Sequence, residues 1–147
     1  MAEIPRGGGS TVKLHDITDT PGMWWLPYEL LKERTPGQNI SHKAMPEWDD
    51  HFRFMSSRPY AAWYWFDNEG EGTPAGCVYL THQREIGVGV LKCQRGQGLA
   101  REAITELMRL HPGRFLANIN PANEASIALF RSLGFGGPIQ LTLERQA

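Results

Sequence analysis

The sequence predicts a single α+β domain with a mixed central sheet of about six strands and four flanking helices. Strand-like runs form neighbouring pairs in the first half of the chain, and the second half alternates strand, helix, strand and helix. The helix-like run 99–110 separates two strands by enough residues for a parallel crossover. A chain of 147 residues has the length of one domain and can bury a sizeable core.

The first ten residues are expected to form a flexible tail, because three glycines and a serine end this segment. Residues 11–147 are expected to form the whole domain. We find no internal repeat and no composition shift that would mark a second domain.

Two helices are expected before the first strand pair. Residues 22–34 carry apolar side chains at helical spacing, interrupted by a proline, so this helix begins late or is kinked. Residues 46–56 begin with a proline that suits a first helical position. The apolar face of this second helix is predicted to consist of Trp48, Phe52 and Met55.

Residue types that favour strands or helices, and the turn-forming residues between them, predict the remaining elements. Aromatic and β-branched side chains favour strands, and the glycine-rich or polar stretches between them favour turns. The expected strands lie at 12–17, 61–66, 75–81, 85–91, 115–119 and 139–143, and the two further helices at 99–110 and 124–133.

The composition excludes several classes of protein. The formal net charge is -1, which gives no long-range attraction to nucleic acid or to an anionic membrane. No apolar run approaches the roughly 18 residues of a membrane span, and the N-terminus lacks the apolar stretch of a signal peptide. We therefore expect a cytoplasmic protein with neither nucleic acid nor membrane as a partner.

A glycine-containing turn at 94–100 separates a strand-like run from the helix-like run 99–110. Glycines in such a turn let another backbone or a ligand approach closely, and bare packing is the alternative explanation. The free N–H groups of the first helical turn, together with the helix dipole, favour a phosphate or pyrophosphate. The candidate ligands are the backbone groups of Gly96, Gln97, Gly98, Leu99, Ala100 and Arg101, flanked by the side chains of Arg95 and Arg101.

Two motifs follow one another along the second half of the chain. The first is an Arg, two residues, a Gly, one residue and an Ala. The second is an Asn, a short helix with small, apolar and aromatic side chains in succession, and a Gly-Phe pair. These residues are Arg95, Gly98 and Ala100, then Asn123, Ala128, Leu129, Phe130, Gly134 and Phe135. Together the motifs resemble the GNAT superfamily, acyltransferases related to the Gcn5 histone enzyme, over about residues 60–136.

The resemblance implies that acetyl-CoA is the co-substrate and that its pantetheine arm lies along a splayed strand, as an added strand would. The matching segment is Val88, Gly89 and Val90, and the glycine turn would hold the pyrophosphate. Glycines are unusual inside a strand, and either a close backbone approach or crowded aromatic neighbours explains them. Asn123 falls where the family has an amide on the cofactor, although an N-cap of the helix 124–133 is an equally physical role.

The chain departs from the family at two positions that carry proton transfer. Many members protonate the leaving thiolate with a Tyr seven residues after the Asn. Here this residue is Phe130, which is expected to contact the cofactor near the thioester sulfur. The branch that acetylates the N-terminus of ribosomal proteins uses a Glu five residues before the Asn as its base, and here this residue is Asn118. Both departures disfavour that branch, although a coenzyme A thiol is acidic enough to leave unaided.

Glu85 is the best candidate for the base that takes a proton from the attacking amine. The histone-acetylating branch has a Glu-Ile pair at nearly this distance before the cofactor segment, and Glu85-Ile86 resembles it. A solvated Glu in the turn 81–85 is the alternative. His42 and His82 are further candidates, because an imidazole commonly exchanges its proton near neutral pH.

The resemblance implies that the acceptor amine binds at the first two helices and their loop, roughly residues 24–57. His42 and Lys43 lie in that loop, which is predicted at 38–44. Tyr79 is a further acceptor contact, and an alternative proton donor to the thiolate if its side chain faces the cleft. The many aromatic side chains of this region either line the cleft or form ordinary core.

The sequence is therefore interpreted as an acetyl-CoA-dependent N-acetyltransferase that acetylates a primary amine of a small molecule, by direct attack in a ternary complex and without a metal. A protein N-acetyltransferase and a non-catalytic acyl-CoA-binding module are the alternatives. Only 12 residues follow Phe135, where the family usually has a two-strand hairpin. We therefore expect either a more open acceptor site or one that a second subunit completes in a homodimer.

Overall fold

The structure, a computed structural model, describes residues 12–34, 45–68 and 73–146. The expected tail, the loop 38–44 and with it His42 and Lys43 lie outside the described residues. Within them, the strands are β1 (Val12–Asp16), β2 (Ala62–Asn68), β3 (Thr73–Leu80) and β4 (Ile86–Val90). The helices are α1 (Trp25–Lys32), α2 (Trp48–Ser56), α3 (Leu99–Leu110) and α4 (Glu124–Ser132). The predicted α+β class and the four flanking helices are confirmed.

The strands form one sheet in the order β1-β2-β3-β4, and every neighbouring pair is antiparallel. The register pairs Trp65 of β2 with Cys77 of β3, and Val78 of β3 with Val88 of β4. Because side chains alternate between the two faces of a strand, this register sends the apolar residues of each strand to two separate cores.

The expectation of about six strands in a mixed sheet is wrong for the described part of the chain, which has four antiparallel strands. The expected strand at 115–119 is reduced to one parallel bridge between Leu116 and Glu85. The expected strand at 139–143 is not formed, and its apolar side chains Ile139, Leu141 and Leu143 are 71%, 79% and 82% exposed. Alternating apolar residues make a strand only where a partner strand supplies hydrogen bonds, and the described residues supply none to this segment.

One core lies between the sheet and the helices α3 and α4. From α3 it takes four buried residues at helical spacing, which are Leu99, Ala103, Ile104 and Leu107. From the sheet it takes Phe66 and Val78, both fully buried. Burial of each such large aliphatic or aromatic side chain contributes about 1.5–3 kcal/mol to folding.

The second core lies on the opposite face of the sheet, under α1 and α2. It contains Ile17, Trp24, Leu26, Met55, Trp63 and Cys77. Burial raises the pKa of the Cys77 thiol, so this side chain stays neutral and acts as an apolar filler. Within the described residues, no helix has the length and apolar character needed to cross a membrane.

The predicted apolar face of α2 is only partly correct. Met55 is buried, but Trp48 is 43% exposed and Phe52 is 50% exposed, and His51 is buried in their place. The ring Nε2 of His51 lies 2.8 Å from the backbone oxygen of Trp24. This tertiary hydrogen bond satisfies the imidazole inside the core, which the helical spacing alone does not reveal.

Candidate active site

The turn between β4 and α3 is a cradle built from backbone groups. Gly96 and Gly98 have φ angles of 82° and 76°, a left-handed conformation that glycine adopts without strain. Gly98 is the N-cap of α3, so the N–H groups of the first helical turn point into the cradle without intrahelical partners. A Cβ built on either glycine would meet no atom of the described residues within 4 Å. The cradle therefore has room for a ligand above its backbone.

A cavity of about 170 Å³ lies at this cradle. Its walls include seven of the residues predicted to hold the cofactor, which are Val90, Arg95, Gly96, Gly98, Leu99, Ala100 and Arg101. Gln94 and Leu129 also line it and were not predicted as site residues. Leu129 belongs to the second motif. The occurrence of both motifs in one sequence is therefore the signal that could have predicted Leu129 as a site residue.

The polar side chains of the cradle are engaged with the protein itself. Arg95 donates from Nε to the backbone oxygen of Val90 at 3.1 Å. The guanidinium of Arg101 donates to the hydroxyl of Ser132, at the end of α4. Gln97 donates to Gln94, which ties the turn together. These bonds hold the turn in place, and the backbone N–H groups of the first turn of α3 are donors without intrahelical partners.

The backbone of β4 offers hydrogen-bonding groups along an open edge. Thr81 donates to the backbone oxygen of Glu85 at 2.9 Å, and Leu91 donates to Ala75 at 2.8 Å, so the odd-numbered residues of β4 bond to β3. The even-numbered residues face the other way, as the 2.8 Å bond from Ile86 to Leu116 shows. Val88 and Val90 therefore direct their N–H and C=O groups to the edge that leads into the cradle, where Arg95 already donates to the Val90 oxygen.

The glycines of β4 have packing roles. The backbone of Gly89 faces β3, where it pairs with Cys77, and a Cβ there would lie 3.4 Å from Leu30 of α1. The ring of Tyr79 lies across Gly87, because a Cβ on Gly87 would come within 2.0 Å of its Cζ. Crowding by an aromatic neighbour thus explains Gly87, and a cofactor contact of Gly89 stays a prediction.

Glu85, the predicted base, stands at the start of β4 and is half-buried. Its carboxylate oxygen Oε2 accepts a hydrogen bond from Nδ2 of Asn118. Side chains two residues apart share a strand face, so Glu85 lies on the same face as Gly87 and the Tyr79 ring. This face is the one that α1 and α2 cover.

Tyr79 packs in an aromatic group on that face. Its ring stacks on Tyr60 with centroids 4.0 Å apart and planes inclined by 5°, and both rings contact Trp63. Burial, reinforced by the neighbouring Tyr79 hydroxyl, raises the pKa of Tyr60, so the Tyr60 hydroxyl keeps its proton near neutral pH. The indole Nε1 of Trp63 is buried and has no hydrogen-bond partner in the described structure. The acceptor role of Tyr79 stays a prediction.

Asn123 caps α4, which is one of the two roles predicted for it. Its Oδ1 accepts from the backbone N–H of Ser126 at 3.1 Å. A cofactor contact would have to use Nδ2 of the same amide. Phe130, expected beside the thioester, is 4% exposed and packs edge-on against Phe135 in the core. Its ring offers little surface to a cofactor, and the expected contact stays a prediction.

Comparison of the sequence with protein families gives a match over most of the chain. The profile of the acetyltransferase (GNAT) family matches residues 24–135. The chain belongs to the GNAT family of acetyltransferases. It is therefore an acyltransferase, and the match extends from the start of α1 through α4.

Several solved GNAT structures share the fold. yncA from Salmonella typhimurium, whose structure contains its cofactor acetyl-CoA, is 22% identical, with a TM-score of 0.63 over 86% of this chain and 79% of that one. Ribosomal-protein-alanine N-acetyltransferase from Brucella melitensis is 23% identical, with a TM-score of 0.62 over 84% and 83%. A mutant spermidine/spermine N-acetyltransferase SpeG from Vibrio cholerae is 14% identical, with a TM-score of 0.65 over 85% and 79%. A search of curated proteins found no match to this sequence.

Proposed function

We propose that this GNAT enzyme transfers the acetyl group of acetyl-CoA to a primary amine of a small molecule by direct attack in a ternary complex. The observation that carries the proposal is the row of backbone hydrogen-bonding groups along the open edge of β4. Backbone groups of Val88 and Val90 face an edge with no strand partner among the described residues, and that edge leads to the cradle cavity.

Coenzyme A fits these residues. The N–H groups around Gly96, Gly98 and Leu99 suit a pyrophosphate, and the open edge of Val88 and Val90 suits the two amides of a pantetheine arm. When bound, acetyl-CoA supplies the activated acetyl group as a thioester. The backbone N–H of Val88 would then polarise the thioester carbonyl, a donor already in place before the reaction.

The protein's own groups supply orientation and a base. Glu85 would accept a proton from the attacking amine, directly or through a water. Phe130 has no proton to donate to the leaving thiolate, so the thiolate leaves as the anion or takes a proton from solvent or Tyr79. The main contribution of the protein is to hold the two reactants together, which alone is worth up to about 7–11 kcal/mol in well-oriented systems.

A small-molecule acceptor is favoured over the N-terminus of a ribosomal protein. Asn118 stands where that branch has its basic Glu, and an amide takes up no proton at neutral pH. The face beside Glu85 is walled by the aromatic rings of Tyr60, Trp63 and Tyr79, which suit a compact ligand and can attract an ammonium group.

The proposal is tested by thiol release. Purified protein is incubated with acetyl-CoA and a panel of polyamines, amino sugars, amino acids and N-terminal peptides, and free thiol and acetylated product are measured together. Turnover on at least one small amine, and slower turnover on peptides, is expected. Preference for peptides would favour the protein-acetylating alternative, and tight acetyl-CoA binding without any turnover would favour a binding module.

The C-terminal segment supports a proposal about assembly. Ile139, Leu141 and Leu143 form an alternating apolar row that is exposed, and the edge beyond Leu116 has no strand partner among the described residues. A second copy of the chain that pairs its segment with this edge would cover both surfaces, in a homodimer. Light scattering after size exclusion is expected to show a dimer that Leu141→Asp converts to a monomer. A monomeric wild-type protein would contradict it.

A further inference from the structure

Asn118 and Glu85 are brought together by a rigid piece of backbone. Leu116 bridges to the start of β4 through two hydrogen bonds, from Ile86 N–H to its oxygen and from its own N–H to the oxygen of Arg84, both at 2.8 Å. Asn118 lies two residues beyond this bridge, and its amide reaches Oε2 of Glu85. The contact therefore connects two backbones that are already held in register.

Further contacts of Arg84 strengthen the same junction. Its guanidinium donates to the backbone oxygens of Arg114 at 2.9 Å and His111 at 2.7 Å, and lies 4.7 Å from the centre of the Phe115 ring. Arg84 thus holds the segment before Asn118 against the segment before β4. Rigid support of this kind lets a single side-chain hydrogen bond select one orientation of a flexible neighbour.

The chemistry of an amide suits an orienting role. A Glu side chain has three rotatable bonds, and a free carboxylate loses entropy when it is held in one place. Nδ2 of Asn118 occupies Oε2 and leaves Oε1 of Glu85 for another partner. A cation at 118 would hold the carboxylate equally well but would neutralise it, whereas a neutral amide leaves its charge for the incoming ammonium.

We propose that Asn118 is a positioning residue that holds the Glu85 carboxylate in the orientation from which it takes the proton of the attacking amine. This inference rests on the proposed function, because it needs Glu85 to act as the base. It assigns to Asn118 a role through Glu85, not a contact with the reacting atoms.

A double-mutant cycle tests the coupling. Asn118→Leu keeps the shape of the side chain and removes the donor. On the best amine of the panel, it is expected to lower kcat about tenfold while changing the KM for acetyl-CoA by less than about twofold. In the Glu85→Gln background the same substitution should change kcat by less than about twofold, because the carboxylate that it orients is gone. Gln83→Leu, at an exposed position in the same turn, is the matched control and should leave kcat unchanged.

Equal losses of kcat in the two backgrounds would overturn the proposal, because a merely structural Asn118 acts independently of Glu85. Asn118→Gln, which keeps the amide one methylene farther out, is expected to retain more activity than Asn118→Leu. If the leucine variant is poorly folded, this glutamine variant still gives the comparison between the two backgrounds.

A second measurement reports the contact without any activity. The side-chain amide signal of Asn118, assigned in a nitrogen-15 spectrum by its loss in Asn118→Leu, should move when Glu85 is replaced by Gln. An unmoved signal would show that the contact is absent and would overturn the inference. A wild-type protein inactive on all amines would contradict the proposed function instead, and the amide signal would then show that the contact exists for another reason.

Discussion

The side-chain amide of Asn118 donates a hydrogen bond to the carboxylate of Glu85, although the two residues are 33 positions apart in the sequence. Asn118 occupies the position at which one GNAT branch carries its base, and Glu85 resembles the carboxylate of another branch. In the fold the two side chains are in contact. In this chain Glu85 is the carboxylate of the pair, and its neighbour Asn118 is a neutral amide.

Glu85→Gln keeps the size of the side chain and removes its basicity. If Glu85 is the base, we expect turnover to fall by about 10²-fold or more with acetyl-CoA affinity nearly constant, because a base acts on the amine and not on the cofactor. The measurement is steady-state kinetics at saturating amine beside calorimetric binding of acetyl-CoA. Glu144→Gln, at an exposed position, is the control. Wild-type turnover in Glu85→Gln would direct the search for a base to His82 or His42.

Phe130→Tyr adds one hydroxyl to a ring that is almost fully buried. The variant is expected to lose about 1–3 kcal/mol of unfolding free energy, because a buried hydroxyl without a partner keeps its desolvation cost. Urea unfolding measures this loss, and Phe52→Tyr, at a half-exposed position, should change stability by less than about 0.5 kcal/mol. Unchanged stability with a several-fold gain in rate would instead place residue 130 beside the thioester.

Asn123→Asp separates the two roles of this residue. The carboxylate can still accept from Ser126, so the cap and the stability should be kept, whereas Asn123→Ala should cost about 0.5–2 kcal/mol. If Nδ2 of Asn123 contacts the cofactor, the Asp variant should also bind acetyl-CoA more weakly than the wild type. Equal affinity in a stable Asp variant would leave capping as the role of Asn123.

Gly76→Ala should destabilise the sheet where β3 pairs with β4, the strand that carries the site. A Cβ on Gly76 would lie 2.1 Å from the backbone oxygen of Gly89, which cannot move without disturbing β4. We expect a loss of about 1–3 kcal/mol, the usual cost of overpacking, in thermal or urea unfolding. Gly22→Ala is the control, since no atom of the described residues lies within 4 Å of its Cβ position. Equal stability of the two variants would contradict the register of β3 and β4.

Local signals predicted the parts of the fold that local contacts determine. Helix α3 begins and ends at the predicted residues, because its apolar spacing and the glycine turn before it lie in one continuous stretch. The cradle was predicted for the same reason, since Gly96 and Gly98 are both left-handed and adjacent to the helix they precede.

Contacts between residues distant in sequence determine the features that the sequence did not predict. The segment around Leu116 has strand-forming residues but forms a single bridge, with Glu85 just before β4, so a full strand does not form. His51 is buried because the oxygen of Trp24 satisfies its ring. The hydrogen bond between Asn118 and Glu85 joins two segments separated by a helix, and no local pattern signals it.

Binding of acetyl-CoA to Gly98→Asp, measured by calorimetry, tests most directly whether the cradle holds the pyrophosphate. The substitution places a Cβ and a negative charge over the cradle, where the pyrophosphate would lie. Gly134→Asp is the matched control, because Gly134 also has a positive φ, of 93°, and no atom of the described residues within 4 Å of its Cβ position. We predict that Gly98→Asp weakens binding by well over tenfold, which is more than about 1.4 kcal/mol, while Gly134→Asp binds as the wild type does. Unchanged affinity in a folded Gly98→Asp protein would contradict pyrophosphate binding at the cradle.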